Sequence, residues 1–137
     1  MQLTRRHFLT GTSSLALASL APGRSLRKPG RDKIRVGVVG VWNRGRSNLE
    51  GVLGEEVVAL CDVDERHLGL GAELVEQRTG GSGKALQFKD YRRMLDNPGI
   101  LDAVVVSTAD HTHASVAAAA LRRGLHVYCE KPLAHSP

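Results

Sequence analysis

Residues 31–137 lack an excess of charge of either sign. The whole chain has 19 basic and 14 acidic residues, a formal net charge of +5. Residues 1–30 hold five of the basic residues and no acid, which leaves 14 residues of each sign in residues 31–137. A protein that binds a polyanion needs a strongly basic face. The even balance in this region therefore argues against a nucleic-acid partner.

Cysteine is also scarce, because the 137 residues contain Cys61 and Cys129 and no other cysteine. Both fall at the ends of predicted strands, the second and the fifth of the sheet described below. In a sheet of order 3-2-1-4-5 these strands are not neighbours, whereas a disulfide needs Cα atoms within about 7 Å of each other. We therefore predict no disulfide and expect two buried thiols.

The N-terminal segment has no apolar run long enough to span a bilayer stably. Its sequence "TRRHFLTGTSSLALASLAPG" (4–23) is interrupted repeatedly by Gly, Ser and Thr. The paired Arg5 and Arg6, followed by Phe8 and Leu9, match the pattern S/T-R-R-x-F-L. This segment resembles a twin-arginine (Tat) signal peptide, with Ala16-Leu17-Ala18 as a candidate cleavage tripeptide.

A Tat signal implies export of a folded protein to the periplasm, which suits a protein that takes up a cofactor before it leaves the cytoplasm. The alternative interpretation of the same residues is a disordered basic tail. A Pro/Gly-rich basic linker follows over residues 22–32. We therefore divide the chain into a signal and linker (1–30) and one folded domain (31–137).

Strand and helix patterns alternate through the folded domain. β-Branched and apolar runs predict strands at 33–40, 56–63, 84–88, 101–108 and 125–130. Helix patterns lie between them at 44–54, 64–80, 90–99 and 110–124. This alternation predicts an α/β fold, a Rossmann-type doubly wound parallel sheet of order 3-2-1-4-5. Ligands of such sheets bind outside the carboxyl ends of the strands.

The turn after the first strand is an incomplete dinucleotide-binding fingerprint. In G-x-G-x-x-G the first and third glycines are Gly40 and Gly45, with Trp42 in place of the second and Asn43-Arg44 before the third. The second glycine normally lets the backbone approach a pyrophosphate. A Trp42 ring turned away would leave backbone amides free to bind it, whereas a ring turned inward would block the site. Arg44 can meet a phosphate.

Asp62 supports the nucleotide interpretation of this turn. It ends the second predicted strand 22 residues after Gly40, close to the ~20 expected for the acid that binds the adenosine ribose hydroxyls. A carboxylate there favours NAD over NADP, whose 2′-phosphate it repels, although Arg66 nearby leaves room for NADP. The alternative role for Asp62 is to cap the following helix, a position for which Asp64 is better placed.

The second half of the domain carries a more specific pattern. The stretches "DAVVVSTADHTH" (102–113) and "GLHVYCEKPLA" (124–134) resemble the Gfo/Idh/MocA oxidoreductases, and "VVALCDVD" (57–64) fits the same family. The resemblance covers residues 33–137. It implies an NAD(P)-binding domain of an enzyme that transfers hydride to or from a sugar or cyclitol.

The resemblance also implies the roles of several residues at the strand ends. Lys131 is expected near the nicotinamide as the catalytic residue, where its cation holds the substrate oxygen. Glu130 is expected to orient or charge-balance Lys131, and Pro132 to rigidify the turn. Ser107 and Thr108 end the fourth strand and are expected to contact the cofactor. The alternative for Lys131 is a surface Lys–Glu pair.

Two histidines lie at the start of the fourth helix. His111 and His113 are two residues apart, so they diverge on a helix, and no third ligand is evident. We therefore expect no metal site. We place His113 in the pocket near the cofactor and His111 facing solvent.

The sequence differs from the family pattern in two respects. Ala109 replaces the usual proline, and the sequence stops before the second α/β domain that supplies the substrate pocket and an acid–base pair in the family. We therefore expect a fragment that binds NAD(H) without turnover. One alternative is a non-catalytic binding domain of Rossmann fold. A second, an S-adenosylmethionine-binding fold, is disfavoured by Glu-Lys-Pro, since methyl transfer has no use for that lysine.

Overall fold

The computed structural model describes residues 32–81, 83–97 and 99–134. The predicted signal peptide and nearly all of the linker lie outside these residues. Within them, strands and helices alternate in the order β1 (Arg35–Val39), α1 (Arg44–Val52), β2 (Glu56–Cys61), α2 (Glu65–Thr79), β3 (Leu86–Phe88), α3 (Tyr91–Leu95), β4 (Ala103–Val106), α4 (Asp110–Arg122) and β5 (His126–Cys129). Each element lies inside the segment that the sequence predicts for it.

The five strands form one parallel sheet of order β3-β2-β1-β4-β5, which confirms the predicted topology. Side chains of β1 alternate between the two faces because successive residues of a strand point to opposite sides. Val36 and Val38 pack with Leu60 and Leu49 in the core beneath α1 and α2. Val39 packs on the other face with a separate core beneath α3 and α4. The sheet is therefore covered on both faces.

The two cysteines are free and lie on β2 and β5, which β1 and β4 separate. Cys61 is buried, and burial raises the pKa of its thiol to about 12. Cys129 is only half-buried, which corrects the expectation of two buried thiols. Its strand lies at the edge of the sheet, where neighbours cover it on one side only.

Helix ends follow the predicted capping residues. The Asp64 carboxylate accepts a hydrogen bond from the Arg66 backbone N–H at 2.9 Å, and Gly80 ends α2 in the left-handed conformation at φ 61°. These contacts confirm Asp64 as the cap of α2. In the part of the chain that the structure describes, no helix is both long enough and apolar enough to cross a membrane.

A buried ion pair at the opposite end of the sheet from the predicted site joins the starts of β1 and β4. The Arg35 guanidinium donates to both carboxylate oxygens of Asp102, with Nη2 at 2.7 Å and Nε at 3.0 Å, and its Nη1 donates to the Gly99 carbonyl. The Arg35 backbone N–H also donates to Asp102, at 2.9 Å. The two side chains are only 10% and 14% exposed, and the pair raises the pKa of Arg35.

Removal of one member of this pair is expected to destabilise the fold. Arg35→Met leaves a shielded carboxylate without its partner, and we expect a loss of about 3 kcal/mol in the free energy of unfolding. The control is Lys89→Met, because Lys89 pairs with Glu65 on the surface with side chains that are 61% and 77% exposed. That loss should be under about 0.5 kcal/mol. Urea unfolding followed by circular dichroism measures both, and equal losses would contradict the prediction.

Candidate functional site

A cleft of about 790 Å³ opens at the carboxyl ends of β1, β2 and β4. The predicted residues that line it are Gly40, Trp42, Asn43, Arg44, Asp62, Ser107 and Thr108. A neighbouring depression of about 320 Å³ shares Arg44, Ser107 and Thr108, and adds His113, Glu130 and Lys131. The strand order therefore brings the predicted site residues to one rim, apart from Gly45, which is buried beneath it.

The turn between β1 and α1 has no room for side chains at its two glycines. Gly40 has φ 80°, and a Cβ there would lie 2.6 Å from the Ser107 carbonyl oxygen. A Cβ on Gly45 would lie 1.9 Å from the Gly40 carbonyl oxygen, far inside contact distance. The start of α1 thus lies directly on the turn, and the turn lies directly on the end of β4.

The same turn presents backbone N–H groups to the cleft. The N–H of Gly40 donates to the Cys61 carbonyl at 2.8 Å, and that of Gly45 to the Trp42 carbonyl at 2.9 Å. Among the described residues, the N–H groups of Trp42, Asn43 and Arg44 have no acceptor. The first turn of α1 also contains no acidic residue. This arrangement suits an anion such as a pyrophosphate.

The Trp42 ring is held at the α2 side of the cleft. It stacks on the His67 ring with centroids 5.4 Å apart and an angle of 11° between planes. The Arg46 guanidinium lies 5.3 Å from the indole centroid, within the range of a cation–π contact. His67 was not among the predicted site residues. Its place in the first turn of α2, after the strand that ends near Asp62, is the signal that could have identified it.

Asp62 is fixed between the glycine turn and α2. One carboxylate oxygen accepts the Val41 backbone N–H at 3.0 Å, and the other accepts the Asp64 N–H at 3.0 Å. Its side chain is 12% exposed at the edge of the cleft. Each oxygen keeps a further lone pair, so the carboxylate can still accept a hydroxyl from a ribose. Arg66 instead donates to Asp64 at 2.7 Å, which lowers the pKa of Asp64.

Glu130 differs from the expectation that it pairs with Lys131. Its Oε1 accepts from Arg44 Nε at 2.9 Å and from Asn48 Nδ2 at 2.9 Å. The Asn48 amide also donates to the Ser107 hydroxyl at 2.8 Å. These bonds from Asn48 and Arg44 lower the pKa of Glu130. The carboxylate thus joins β5 to α1, and sequence reasoning missed Asn48, which lies one helical turn after Arg44.

The two histidines of α4 have different environments. His113 is 1% exposed, with Nδ1 2.8 Å from the Pro132 carbonyl oxygen and Nε2 2.8 Å from the Thr108 carbonyl oxygen. The ring therefore borders the depression beside Lys131, with both nitrogens directed at backbone oxygens. His111 is exposed at the mouth of the cleft, and Lys131 is exposed on the turn after β5. Within the described ranges no cluster of three His, Cys, Asp or Glu side chains could hold a metal ion.

This geometry defines a class of protein. A doubly wound parallel sheet, a glycine turn with free amides at a helix start and an acid after the second strand are the features of a dinucleotide-binding Rossmann domain. Residues 34–137 match the family model GFO_IDH_MocA, described as an oxidoreductase family with an NAD-binding Rossmann fold. The chain belongs to the Gfo/Idh/MocA family, and its domain is of the NAD-binding Rossmann type that the family model describes.

Relatives with named functions share the domain. The chain is 33% identical over 135 residues to a glycosyl hydrolase family 109 protein of Stenotrophomonas maltophilia, covering 93% of this chain and 29% of the relative. It is 38% identical over 106 residues to inositol 2-dehydrogenase 1 of Saccharopolyspora erythraea, covering 74% and 29%. The structure of myo-inositol dehydrogenase from Lactobacillus casei with NAD(H) and myo-inositol is 27% identical, with a TM-score of 0.65 and coverage of 74% and 29%. The chain thus spans less than a third of the length of these relatives.

Gly45→Ala is expected to disrupt the turn. Its Cβ would overlap the Gly40 carbonyl oxygen, which is backbone and cannot rotate away, so we expect a loss of about 3 kcal/mol in stability. Gly51→Ala on the same helix is the control, because a Cβ there meets nothing within 4 Å. That change should stabilise the protein by about 0.5–1 kcal/mol, since glycine inside a helix costs backbone entropy. Chemical unfolding should therefore move in opposite directions for the two variants.

The bonds to Glu130 predict a pH dependence of stability. Because its pKa is lowered below the ordinary value of 4.5, the carboxylate stabilises the fold above that pH and loses this effect as the pH falls. Glu130→Gln should therefore be less stable than the wild-type protein at neutral pH, and the difference should shrink below about pH 4.5. Thermal unfolding between pH 3 and pH 7 measures it. The control is Glu73→Gln, because Glu73 is exposed on α2 and has no hydrogen bond or ion pair among the described residues, so this change should alter the stability little.

Proposed function

We propose that this domain binds NAD(H) with the pyrophosphate on the amides of Trp42, Asn43 and Arg44 and with the adenosine ribose on Asp62. The whole protein then transfers hydride to or from a carbon of a sugar or cyclitol. The observation that carries the proposal is the alignment of these amides, the Asp62 carboxylate and Lys131 along one rim of the sheet. The inositol dehydrogenases among the relatives support the substrate class.

The contacts around the turn support binding in the presence of Trp42. The stack on His67 and the contact with Arg46 hold the indole toward α2, while the N–H groups of Trp42, Asn43 and Arg44 have no acceptor in the described part of the chain. At the position of the second glycine this chain therefore has a side chain that forms a wall of the cleft. We propose that the ring borders the adenosine half of the cofactor.

Asp62 and Arg66 favour NAD over NADP in this proposal. A 2′-phosphate would lie against the Asp62 carboxylate, and two like charges at close range repel. Arg66, the cation that could offset this repulsion, is bonded to Asp64. The Asp62 carboxylate is therefore a hydrogen-bond acceptor at the position proposed for the ribose, and an acceptor suits hydroxyl groups.

Lys131 is the residue that we assign to the reaction. NAD supplies a hydride acceptor when bound, and Lys131 donates a hydrogen bond to the substrate oxygen and stabilises the negative charge that develops there. Its exposed position beside the cleft leaves the ammonium accessible to a substrate. Glu130 serves the reaction indirectly, because it fixes Arg44 and the start of α1.

A second candidate function has one specific observation in its favour. Several relatives are named glycosyl hydrolase family 109 proteins, among them the one from Stenotrophomonas maltophilia. Glycosidases that depend on NAD are known, so the same cofactor cleft is compatible with glycoside hydrolysis. The two functions differ in stoichiometry. A dehydrogenase accumulates one NADH for each product molecule, whereas a hydrolase releases sugar with NAD unchanged.

Cofactor binding and its specificity can be measured on the 137-residue chain. Trp42 is the sole tryptophan and lines the cleft, so bound NADH should quench its fluorescence by energy transfer. We expect saturable binding of NADH and binding at least about tenfold weaker for NADPH. Asp62→Asn removes the charge and one of the two oxygens that accept the Val41 and Asp64 N–H groups. We therefore expect weaker binding of NADH and a smaller ratio between the affinities for NADH and NADPH. Absence of saturation below millimolar NADH would contradict the proposal.

We also propose that the chain is exported by the twin-arginine route. The motif Thr4-Arg5-Arg6-His7-Phe8-Leu9 and the acid-free apolar stretch after it support this proposal. Replacement of Arg5 and Arg6 together by lysine keeps the charge and removes the motif. We expect the variant to stay in the cytoplasmic fraction while the wild-type protein reaches the periplasm, and periplasmic recovery of the variant would contradict Tat export.

A further inference from the structure

The turn that carries Lys131 has few attachments to the rest of the domain. Lys131 is exposed and Leu133 is 62% exposed. Among the hydrogen bonds of the described residues, residues 131–134 take part in one, between the Pro132 carbonyl and Nδ1 of His113 at 2.8 Å. The preceding residue, Glu130, is bonded through its backbone N–H to the Val106 carbonyl at 2.9 Å. His113 is therefore the polar attachment nearest to Lys131 on its C-terminal side.

The other ring nitrogen of His113 contacts a residue that lines the cofactor cleft. Nε2 lies 2.8 Å from the carbonyl of Thr108, a residue that lines both the cleft and the depression beside Lys131. A neutral imidazole has one N–H for these two carbonyls, and an imidazolium has two. With a proton on Nδ1, as in one neutral tautomer and in the imidazolium, the ring donates to the Pro132 carbonyl in the turn after β5, and it is 99% shielded from solvent.

We propose that His113 is the positioning residue for Lys131. From its buried place on α4, His113 holds the Pro132 carbonyl through Nδ1, and it thereby sets where the adjacent lysine stands relative to a bound nicotinamide. The charged side chains around this depression are Arg44, Asp110, Glu130 and Lys131. Of these, Arg44 and Glu130 are paired with each other, and no hydrogen bond or ion pair among the described residues joins Lys131 to Asp110. This inference rests on the proposed function, and it adds that Lys131 contacts the nicotinamide half of the cofactor as well as the substrate oxygen.

Two substitutions distinguish the contact of His113 with Pro132 from its contact with Thr108. Asn at position 113 places its amide nitrogen where Nδ1 lies, so His113→Asn keeps a donor for Pro132 and loses the contact with Thr108. Gln places its amide nitrogen near Nε2, so His113→Gln keeps the Thr108 contact and loses that with Pro132. Gln is closer to histidine in volume, so a purely structural role would favour Gln over Asn.

The experiment is a double-mutant cycle on the 137-residue chain with NADH as the probe. We expect Lys131→Ala and His113→Gln each to weaken NADH binding by about three- to tenfold, the range for loss of one hydrogen bond. His113→Asn should stay within about twofold of the wild-type protein. In the Lys131→Ala background, His113→Gln should produce no further loss, because the two residues act as one unit.

The outcomes distinguish this inference from the function on which it rests. If Lys131→Ala leaves NADH affinity unchanged, the proposed contact of Lys131 with the cofactor is wrong, and the inference is overturned with it. If Lys131→Ala weakens binding but the effects of Lys131→Ala and His113→Gln add, or Asn weakens binding as much as Gln, the inference alone is overturned.

A second measurement does not depend on the cofactor. The ¹⁵N order parameters of the Lys131 and Leu133 backbone amides in the cofactor-free protein should be lower in His113→Gln than in His113→Asn, since the former releases the Pro132 carbonyl. Equal order parameters in the two variants would overturn the positioning role. Thermal unfolding of each variant establishes that the comparison is made between folded proteins.

Discussion

The candidate site depends on the close approach of Gly45 to the Gly40 carbonyl oxygen. A Cβ at Gly45 would lie 1.9 Å from that oxygen, so α1 can start against the turn only because this residue has no side chain. The same turn rests on the end of β4, where a Cβ at Gly40 would meet the Ser107 carbonyl oxygen at 2.6 Å. These contacts place the first backbone N–H groups of α1 at the rim. Neither contact involves the second position of the fingerprint, where this chain has Trp42.

Polar side chains then join the strand ends into one rim. Glu130 and Asn48 connect β5, α1 and the end of β4, and His113 connects the loop after β4 to the turn after β5. The three consecutive residues of the Glu-Lys-Pro motif thus have different surroundings. Glu130 is directed toward α1, Lys131 is exposed beside the cleft, and Pro132 offers its carbonyl to a buried histidine. Side-chain contacts of 2.8–2.9 Å therefore join the ends of β4 and β5 to each other and to α1.

The opposite end of the sheet has a different role. There the buried pair of Arg35 and Asp102 joins the starts of β1 and β4, and the hollow beside Arg35 has a volume of about 390 Å³, against about 790 Å³ for the cleft at the other end. The residues that we assign to the cofactor lie at the carboxyl ends of the strands, whereas this ion pair only stabilises the fold. This separation follows from parallel topology, since crossover helices leave the loops that can vary at the carboxyl ends.

The sequence alone determined the topology and most members of the site. β-Branched runs at Val36–Val39 and Ala103–Val106, separated by helix patterns with Asp and Gly at their ends, are local signals, so strand order and the rim could be predicted from them. The spacing from Gly40 to Asp62 is likewise local information. The sequence patterns predicted longer helices and strands than the structure has. The residues of caps and turns resemble those of the neighbouring helix or strand in composition, so the patterns did not separate them.

Only the tertiary structure decided which side chains contact each other across the rim. The stack of Trp42 on His67, the pairing of Glu130 with Arg44 in place of Lys131, and the enclosure of His113 between two carbonyls join residues that lie 19 to 86 positions apart or on different elements. The ion pair of Arg35 with Asp102 spans 67 positions. Such contacts depend on where each side chain points once the helices have packed on the sheet. The order of residue types along the chain does not determine those directions.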